Sequence, residues 1–222
     1  VHGVMNTDNM AVSGETIDYG PCAFLDAYDP ATVFSSIDRH GRYAYANQPA
    51  IAHWNLARLA ESLVPLLPGP EEAAVEKLRA VLATFPSRYD RHHLAGGRAK
   101  LGLATEEPGD GELLAGLLQR LHAARADFTA TFAGLARLAE PQAPSPEGSG
   151  PIDGEWLAAW RARLSREPGP PTDAVARMRR ANPVVIPRNH RVEEALVAAE
   201  AGDLAPVRRL LAAIRDPFGD GP

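Results

Sequence analysis

Residues 1–20 read VHGVMNTDNMAVSGETIDYG, and the interpretation of the whole chain starts from this stretch. A polar loop ends in Asp8 and Asn9, and a β-prone run that contains Asp18 follows turn residues at 13–15. We therefore predict a short hairpin that brings Asn9 close to Asp18. An amide oxygen and a carboxylate that converge on one point suit Mg²⁺ or Mn²⁺, because these cations take oxygen ligands.

Protein kinases and related phosphotransferases have a similar order of residues, in which a metal-binding Asn closes the catalytic loop and a metal-binding Asp follows a hairpin. His2 and Gly3 begin the loop as they do in small-molecule kinases, but Val4 stands where those enzymes have the catalytic Asp. Valine cannot accept a proton, whereas Asp8 directly precedes Asn9. The pattern indicates a kinase-like catalytic loop in which the carboxylate stands at position 8 instead of position 4.

Longer motifs resemble the selenoprotein O family over nearly the whole chain, although the stretch around 141–150 contributes none. These motifs are HGVMNTDNM at 2–10, TIDYGP at 16–21, FLDAYDP at 24–30, GRYAY at 41–45, QP at 48–49, WNLARLA at 54–60, KLGL at 100–103, DFT at 127–129, NP at 182–183, RN at 188–189, AEAGD at 199–203 and PF at 217–218.

This resemblance implies a pseudokinase that binds ATP in a flipped orientation and transfers AMP, or UMP from UTP, to Ser, Thr or Tyr hydroxyls of other proteins. It implies that Asp8 is the general base and that Asn9 and Asp18 hold Mg²⁺ or Mn²⁺, so that Asp18 also belongs to the nucleotide site. The expected fold is mainly α. It is the C-terminal lobe of a protein-kinase-like fold, with a short β-hairpin at its N-terminus followed by a helical bundle.

Composition narrows the class of protein further. The chain has 222 residues, 45% of them hydrophobic and 23% charged, with a net charge of -5. Non-specific binding of nucleic acid is not expected, because it requires a cluster of basic residues on the surface. The single cysteine, Cys22, excludes an internal disulfide, and we expect a cytoplasmic protein. No apolar run reaches the ~18 residues that a membrane span needs, so no membrane contact is expected either.

Apolar residues at helical spacing predict a helical body after a loop-rich start. We predict a catalytic, hairpin and activation-segment-like region at 1–48, a helical lobe at 49–140, a flexible loop at 141–154 and a helical extension at 155–222. Helices are predicted at about 49–64, 71–85, 87–101, 111–122, 124–139, 155–166, 172–181, 191–201 and 204–215, with one short helix near 31–34.

A glycine-rich phosphate loop and a phosphate-binding lysine motif are both absent from the sequence, although a kinase-like enzyme needs such parts to hold the nucleotide. We therefore expect the nucleotide-binding lobe to lie upstream of Val1, and we expect the chain alone to be inactive.

Two alternatives stay open at this point. The chain could be a non-catalytic helical interaction module, which the many helices predicted after residue 49 and the absence of phosphate-binding motifs favour. It could also belong to a kinase that transfers the γ-phosphate, although Val4 counts against that interpretation.

Overall fold

The computed structural model describes residues 1–15, 20, 22–140, 150–152 and 154–219. Within these ranges the chain forms α-helices and short 3₁₀ turns, and it forms no β-strand, which confirms the prediction of a mainly α protein. The helices are α1 (Gln48–Leu63), α2 (Glu71–Leu82), α3 (Phe85–Lys100), α4 (Asp110–Ala124), α5 (Phe128–Leu138), α6 (Gly154–Leu164), α7 (Pro171–Ala181), α8 (Asn189–Glu200) and α9 (Ala205–Ile214). None of these helices is long and apolar enough to cross a membrane.

The predicted short helix near 31–34 is wrong. The backbone carbonyls of Pro30 and Thr32 accept hydrogen bonds from Ala46 and Tyr45, at 2.9 and 3.0 Å, instead of bonding to the next helical turn. The segment is therefore an ordered loop that is fastened to residues just before α1. Most of the predicted flexible loop, residues 141–149 and 153, lies outside the described residues.

The chain divides into two compact units. Unit 1 comprises 1–23 and 30–93, and unit 2 comprises 24–29 and 94–222. The predicted region boundaries at 48 and 49 do not coincide with this division and stay a prediction. Unit 1 carries the candidate loop, so the two units are described separately below.

The core of unit 2 is built mainly from leucines of α4 and α5 around two tryptophans of α6. Trp160 is fully buried and donates its indole N–H to the Leu101 carbonyl at 2.9 Å, while Trp156 donates to the Leu113 carbonyl at 2.9 Å. Because each indole nitrogen has a partner, these large side chains are buried without leaving a polar atom unpaired. The two hydrogen bonds also fix α6 against the end of α3 and against α4.

Asp127 has a structural role at the start of α5. Its carboxylate accepts the Ala130 backbone N–H at 2.7 Å as an N-cap and also pairs with Arg188, which in turn contacts Asp26. Burial acts to raise the pKa of Asp127. The hydrogen bonds from Arg188 and from the Ala130 N–H, together with the positive charge of Arg188, outweigh burial, so the pKa lies below its ordinary value. These contacts tie the 24–29 segment and the start of α8 to α5.

Gly97, in the last turn of α3, is required by close packing. A Cβ atom at this position would lie 2.3 Å from a terminal methyl of Leu114, which is itself buried in the unit 2 core. The neighbouring Gly96 has no atom within 4 Å of its corresponding Cβ position. The two adjacent glycines therefore differ in what they contribute, although both cost helix propensity.

We predict that Gly97→Ala destabilises the chain while Gly96→Ala stabilises it. Overpacking a core typically costs about 1–3 kcal/mol. An exposed helical Gly→Ala change gains about 0.5–1 kcal/mol. Urea unfolding of the two variants measures the difference, and equal free energies of unfolding would contradict the packing assigned to Gly97.

Among the charged side chains described in unit 2, Arg163 has the largest number of ionic partners. Its side chain is 4% exposed and pairs with Asp110 at 2.7 Å and Glu167 at 2.8 Å, while its guanidinium also donates to the Thr105 carbonyl at 2.9 Å. Burial acts to raise the pKa of both carboxyls. The strongest contact that lowers the pKa of Asp110 is the hydrogen bond from Arg163, and for Glu167 it is the hydrogen bond from the Thr105 hydroxyl. With the weaker contacts included, both pKa values lie below their ordinary values.

A carboxyl with a depressed folded-state pKa stabilises the fold above its unfolded pKa and loses that contribution as the pH falls. We therefore predict that Arg163→Met lowers the free energy of unfolding by about 3–5 kcal/mol near neutral pH, because it leaves two buried carboxylates without their counter-charge. The deficit should shrink below about pH 4, where both carboxyls become protonated in the variant.

Urea titrations at the two pH values, followed by tryptophan fluorescence, measure this change. The matched control is Arg79→Met, which removes an exposed pair with Glu76 and should cost at most about 1 kcal/mol. A deficit for Arg163→Met that does not depend on pH would contradict the charge-based explanation.

Candidate functional site

Asp8 and Asn9 lie on an exposed turn in unit 1. Thr7–Asn9 forms a 3₁₀ turn that is closed by a hydrogen bond of 3.0 Å from the Asn9 N–H to the Asn6 carbonyl, and the chain is extended on both sides of it. Both candidate side chains are exposed to solvent. The predicted general base and one predicted metal ligand are therefore adjacent and accessible.

The predicted hairpin differs from the described structure. Residues 10–12 form no strand, and a turn closes from Gly14 N–H to the Ala11 carbonyl at 3.1 Å. The chain does return, but through an isolated antiparallel bridge between His2 and Cys22. Residues 16–19, and with them Asp18, lie outside the described residues, so the approach of Asn9 to Asp18 stays a prediction.

The orientation of the Asn9 amide is fixed from within the loop. Its side-chain nitrogen donates to the Val4 carbonyl at 2.9 Å. Because the amide has one nitrogen and one oxygen, this bond assigns the oxygen to the opposite side of the group. The atom of Asn9 that a metal ion would use as a ligand is therefore not the one that holds the loop together.

Val4 belongs to the scaffold of the loop. It is half-buried, its N–H donates to the His2 imidazole Nδ1 at 3.2 Å, and its carbonyl accepts from Asn9. The residue at the position of a kinase base thus contributes its backbone N–H and carbonyl to the hydrogen bonds of the loop. Asp8 is the exposed carboxylate beside Asn9 that could accept a proton.

Three side chains outside the loop hold it in place. Asn55 of α1 donates to the Met5 carbonyl at 3.0 Å and also contacts the Met10 sulfur, and it therefore binds both ends of the loop. The Tyr43 hydroxyl donates to the side-chain oxygen of Asn6. Gln48 donates to the His2 carbonyl at 3.0 Å.

Sequence reasoning assigned no role to Asn55, Tyr43 or Gln48. Asn55 is 6% exposed. Its amide oxygen is buried and has no hydrogen-bond partner among the described residues. A buried amide within the apolar stripe of a predicted helix is a signal that could have identified it, since such a side chain needs partners outside its own helix.

The metal site stays a prediction, and the described residues contribute one candidate ligand for Mg²⁺ or Mn²⁺. Asn9 offers an amide oxygen on an exposed turn, which is an ordinary ligand for a hard cation. No group of three or more His, Cys, Asp or Glu side chains with metal-binding geometry occurs in the described part of the chain. A tetrahedral site of the zinc type is thus not formed by these residues.

Comparison with known proteins identifies the family. The sequence profile of the family described as protein adenylyltransferase SelO matches residues 1–215. This match covers nearly the whole chain, and the chain therefore belongs to the protein adenylyltransferase SelO family.

Individual relatives are proteins named protein nucleotidyltransferase YdiU. The chain is 54% identical over 228 residues to the one from Rhizobium etli strain CIAT 652, with 100% of this chain and 46% of the relative covered. It is 57% identical over 221 residues to the one from Cereibacter sphaeroides strain ATCC 17023, with 98% and 44% covered. It is 56% identical over 223 residues to the one from Geobacillus kaustophilus strain HTA426, with 100% and 46% covered. The chain thus spans about half the length of these relatives.

We predict that Asn55→Ala loosens the loop, because the Met5 carbonyl loses its donor and an unpaired buried group costs about 1–3 kcal/mol. Amide hydrogen exchange should accelerate at Val4 and Asn9, whose N–H groups are bonded within the loop. Mass spectrometry of peptides that cover residues 1–12 measures this exchange.

The matched control is Asn47→Ala. Asn47 also donates its side-chain amide to a backbone carbonyl, that of Gly41 at 2.8 Å, and this hydrogen bond does not involve the loop. Equal exchange at Val4 and Asn9 in both variants would show that Asn55 does not hold the loop.

Proposed function

We propose that this chain is the catalytic part of a protein nucleotidyltransferase that transfers AMP from ATP, or UMP from UTP, to Ser, Thr or Tyr hydroxyls of other proteins. Family membership supports the reaction class. The observation that carries the assignment of residues is the exposed pair of Asp8 and Asn9 on a turn whose backbone is held from α1. A half-buried Val4 at the position of a kinase base supports nucleotidyl transfer over γ-phosphate transfer.

In the proposed reaction, the acceptor hydroxyl oxygen attacks the α-phosphorus of the nucleotide. The bond from the α-phosphorus to the oxygen of the pyrophosphate breaks, and pyrophosphate leaves. Asp8 takes the proton of the attacking hydroxyl as general base, so a phosphodiester to the acceptor residue is formed. Its exposure on the turn gives Asp8 access to a hydroxyl on another protein.

Asn9 and Asp18 would hold Mg²⁺ or Mn²⁺. When bound there, the metal would supply positive charge against the charge that develops on the phosphate oxygens. The hydrogen bond from Asn9 to Val4 supports this role, since it orients the amide before any ligand arrives. Pre-orientation matters because phosphoryl-type transfers depend almost wholly on positioning and electrostatic stabilisation.

The proposed architecture is the C-terminal lobe of a kinase-like fold, in which residues 1–48 carry the loop and the activation-like segment. Residues 49–140 and 155–222 would be its helical body and extension. The clamp for the nucleotide phosphates would come from a lobe outside these 222 residues, and the chain alone would then be inactive. We propose a cytoplasmic protein whose partners are ATP and protein substrates.

We predict that Asp8→Asn, in a form of the protein extended to the length of its relatives, lowers the turnover number about 10²–10⁴-fold while nucleotide affinity is retained. The reason is that an amide keeps the size of the side chain and cannot accept the proton. Transfer of labelled AMP to a protein acceptor gives the rate, and the mass gained by the acceptor distinguishes AMP from phosphate.

Glu15→Gln is the matched control, because Glu15 is an exposed carboxylate just beyond the same loop and should leave turnover unchanged. Asp18→Asn should instead raise the Mn²⁺ concentration needed for half-maximal activity. Near wild-type turnover in Asp8→Asn would remove Asp8 from the role of base.

A further inference from the structure

An exposed aromatic side chain in unit 1 lies between two arginines. The guanidinium carbon of Arg42 is 5.0 Å from the ring centroid of Trp54, and that of Arg58 is 5.1 Å from it. Trp54 is 43% exposed, and both arginines are exposed as well. We call Arg42, Trp54 and Arg58 the arginine–tryptophan platform.

The platform is pre-organised. Trp54 and Arg58 lie one turn apart on α1 and therefore share a face of the helix. Arg42 is fixed through its backbone, because the Asp38 carboxylate accepts the N–H groups of Arg42 and Tyr43 at 2.8 Å each. Cation–π contacts at this distance restrict both guanidinium groups, so a ligand would lose less entropy in ordering them.

The platform is attached to the same two segments that hold the candidate loop. Arg42 directly precedes Tyr43, which binds Asn6, and Trp54 directly precedes Asn55, which binds Met5. The segments that fix the position of the loop therefore also carry the platform.

The charge of the platform indicates what it would bind. A guanidinium that stacks on a ring still presents its N–H groups at its edge, where a carboxylate can accept two of them. Among the described residues, no acidic side chain lies within ion-pair distance of the Arg42 guanidinium, and Arg58 pairs with Glu61, which is 61% exposed. Such a surface pair contributes little and can be replaced by another carboxylate.

A long polyanion is a poorer fit for this surface than a short acidic segment. The chain carries a net charge of -5. A nucleic acid would extend beyond the two arginines and meet repulsion there, whereas a short acidic segment would contact the platform alone. Two guanidinium groups beside one ring match one or two carboxylates. The acceptor protein of the proposed reaction would bind unit 1, because unit 1 contains both Asp8 and the platform.

We propose that the arginine–tryptophan platform binds Asp or Glu side chains of the acceptor protein close to the modified hydroxyl, and so favours acceptors in acidic sequence. The role of this surface in turnover rests on the proposed function, whereas binding of an acidic peptide to it does not.

The test uses the protein extended to the length of its relatives and three peptides. Each peptide has one acceptor threonine, which is flanked by glutamates in the first peptide, by glutamines in the second and by lysines in the third. The variants are the double change Arg42→Gln with Arg58→Gln, and a control double change at exposed arginines of α2 and α3, Arg79→Gln with Arg91→Gln. Fluorescence anisotropy of dye-labelled peptides measures binding without turnover, and AMP transfer gives KM and kcat.

We expect the wild-type protein to bind the glutamate peptide about tenfold more tightly than the glutamine peptide, a preference that corresponds to one charge-assisted contact. The platform variant should lose this preference through a higher KM with kcat unchanged, and the control variant should keep it. Arg42→Glu should reverse the preference toward a lysine-flanked peptide, which a folding defect would not do.

Equal binding of the glutamate and glutamine peptides by the wild-type protein would overturn the proposal, as would an equal loss of preference in the control variant. Binding of a single-stranded oligonucleotide that depends on the platform, without any peptide preference, would assign this surface to nucleic acid and also overturn it. Absence of AMP transfer to any of the peptides by the wild-type protein, with the binding preference intact, would count against the proposed function and leave the binding site standing.

Discussion

The candidate site depends on how the backbone of residues 1–10 is hydrogen-bonded. This segment belongs to no sheet and to no long helix, so its carbonyls need partners from elsewhere. Two amide side chains of α1 supply them, with Gln48 bonded to the His2 carbonyl and Asn55 to the Met5 carbonyl. The two side chains lie two helical turns apart and share a face of α1, so a single helix fixes the path of the loop. An exposed pair such as Asp8 and Asn9 can have a defined position only because its neighbours are held in this way.

Burial separates the residues that hold the structure from those that could react. Arg163 has the most extensive set of ionic partners in the described chain, but its bonds with Asp110 and Glu167 leave it engaged inside unit 2. A buried charge whose partners are all in place is costly to disturb and poorly placed to meet a substrate. Asp8 has the opposite properties, since it is exposed and lies on a turn at the surface of unit 1. The perturbed pKa values of unit 2 therefore indicate stability of the fold, although perturbed values often mark functional sites.

Helical periodicity predicted the body of the chain well, because apolar stripes and proline breaks act over ten or more residues. Local patterns predicted the first 48 residues less well. There, Tyr45 and Ala46 bond to the loop at 30–32 and remove the predicted helix near 31–34, a pairing that no local pattern reveals. The adjacency of Asp8 and Asn9 could be read directly from the sequence, whereas the role of Asn55 could not. A side chain that bonds to a loop some 50 residues away is set by tertiary structure, and its local sequence only shows a polar residue in an apolar stripe.

In the proposed site, the hydrogen bonds of Val4 would allow the loop to function without an acid at that position. The Val4 carbonyl orients the Asn9 amide, and its N–H is bonded to His2, so residue 4 acts through its backbone whichever side chain it carries. The half-buried side chain can therefore be apolar without disturbing the orientation of Asn9, the proposed metal ligand. A base has to be exposed toward its substrate, and Asp8 meets that requirement beside the ligand that residue 4 holds. In the proposed site, orientation of the ligand and acceptance of the proton would rest on different residues, so the base could occupy another position of the loop while the metal ligand keeps its place.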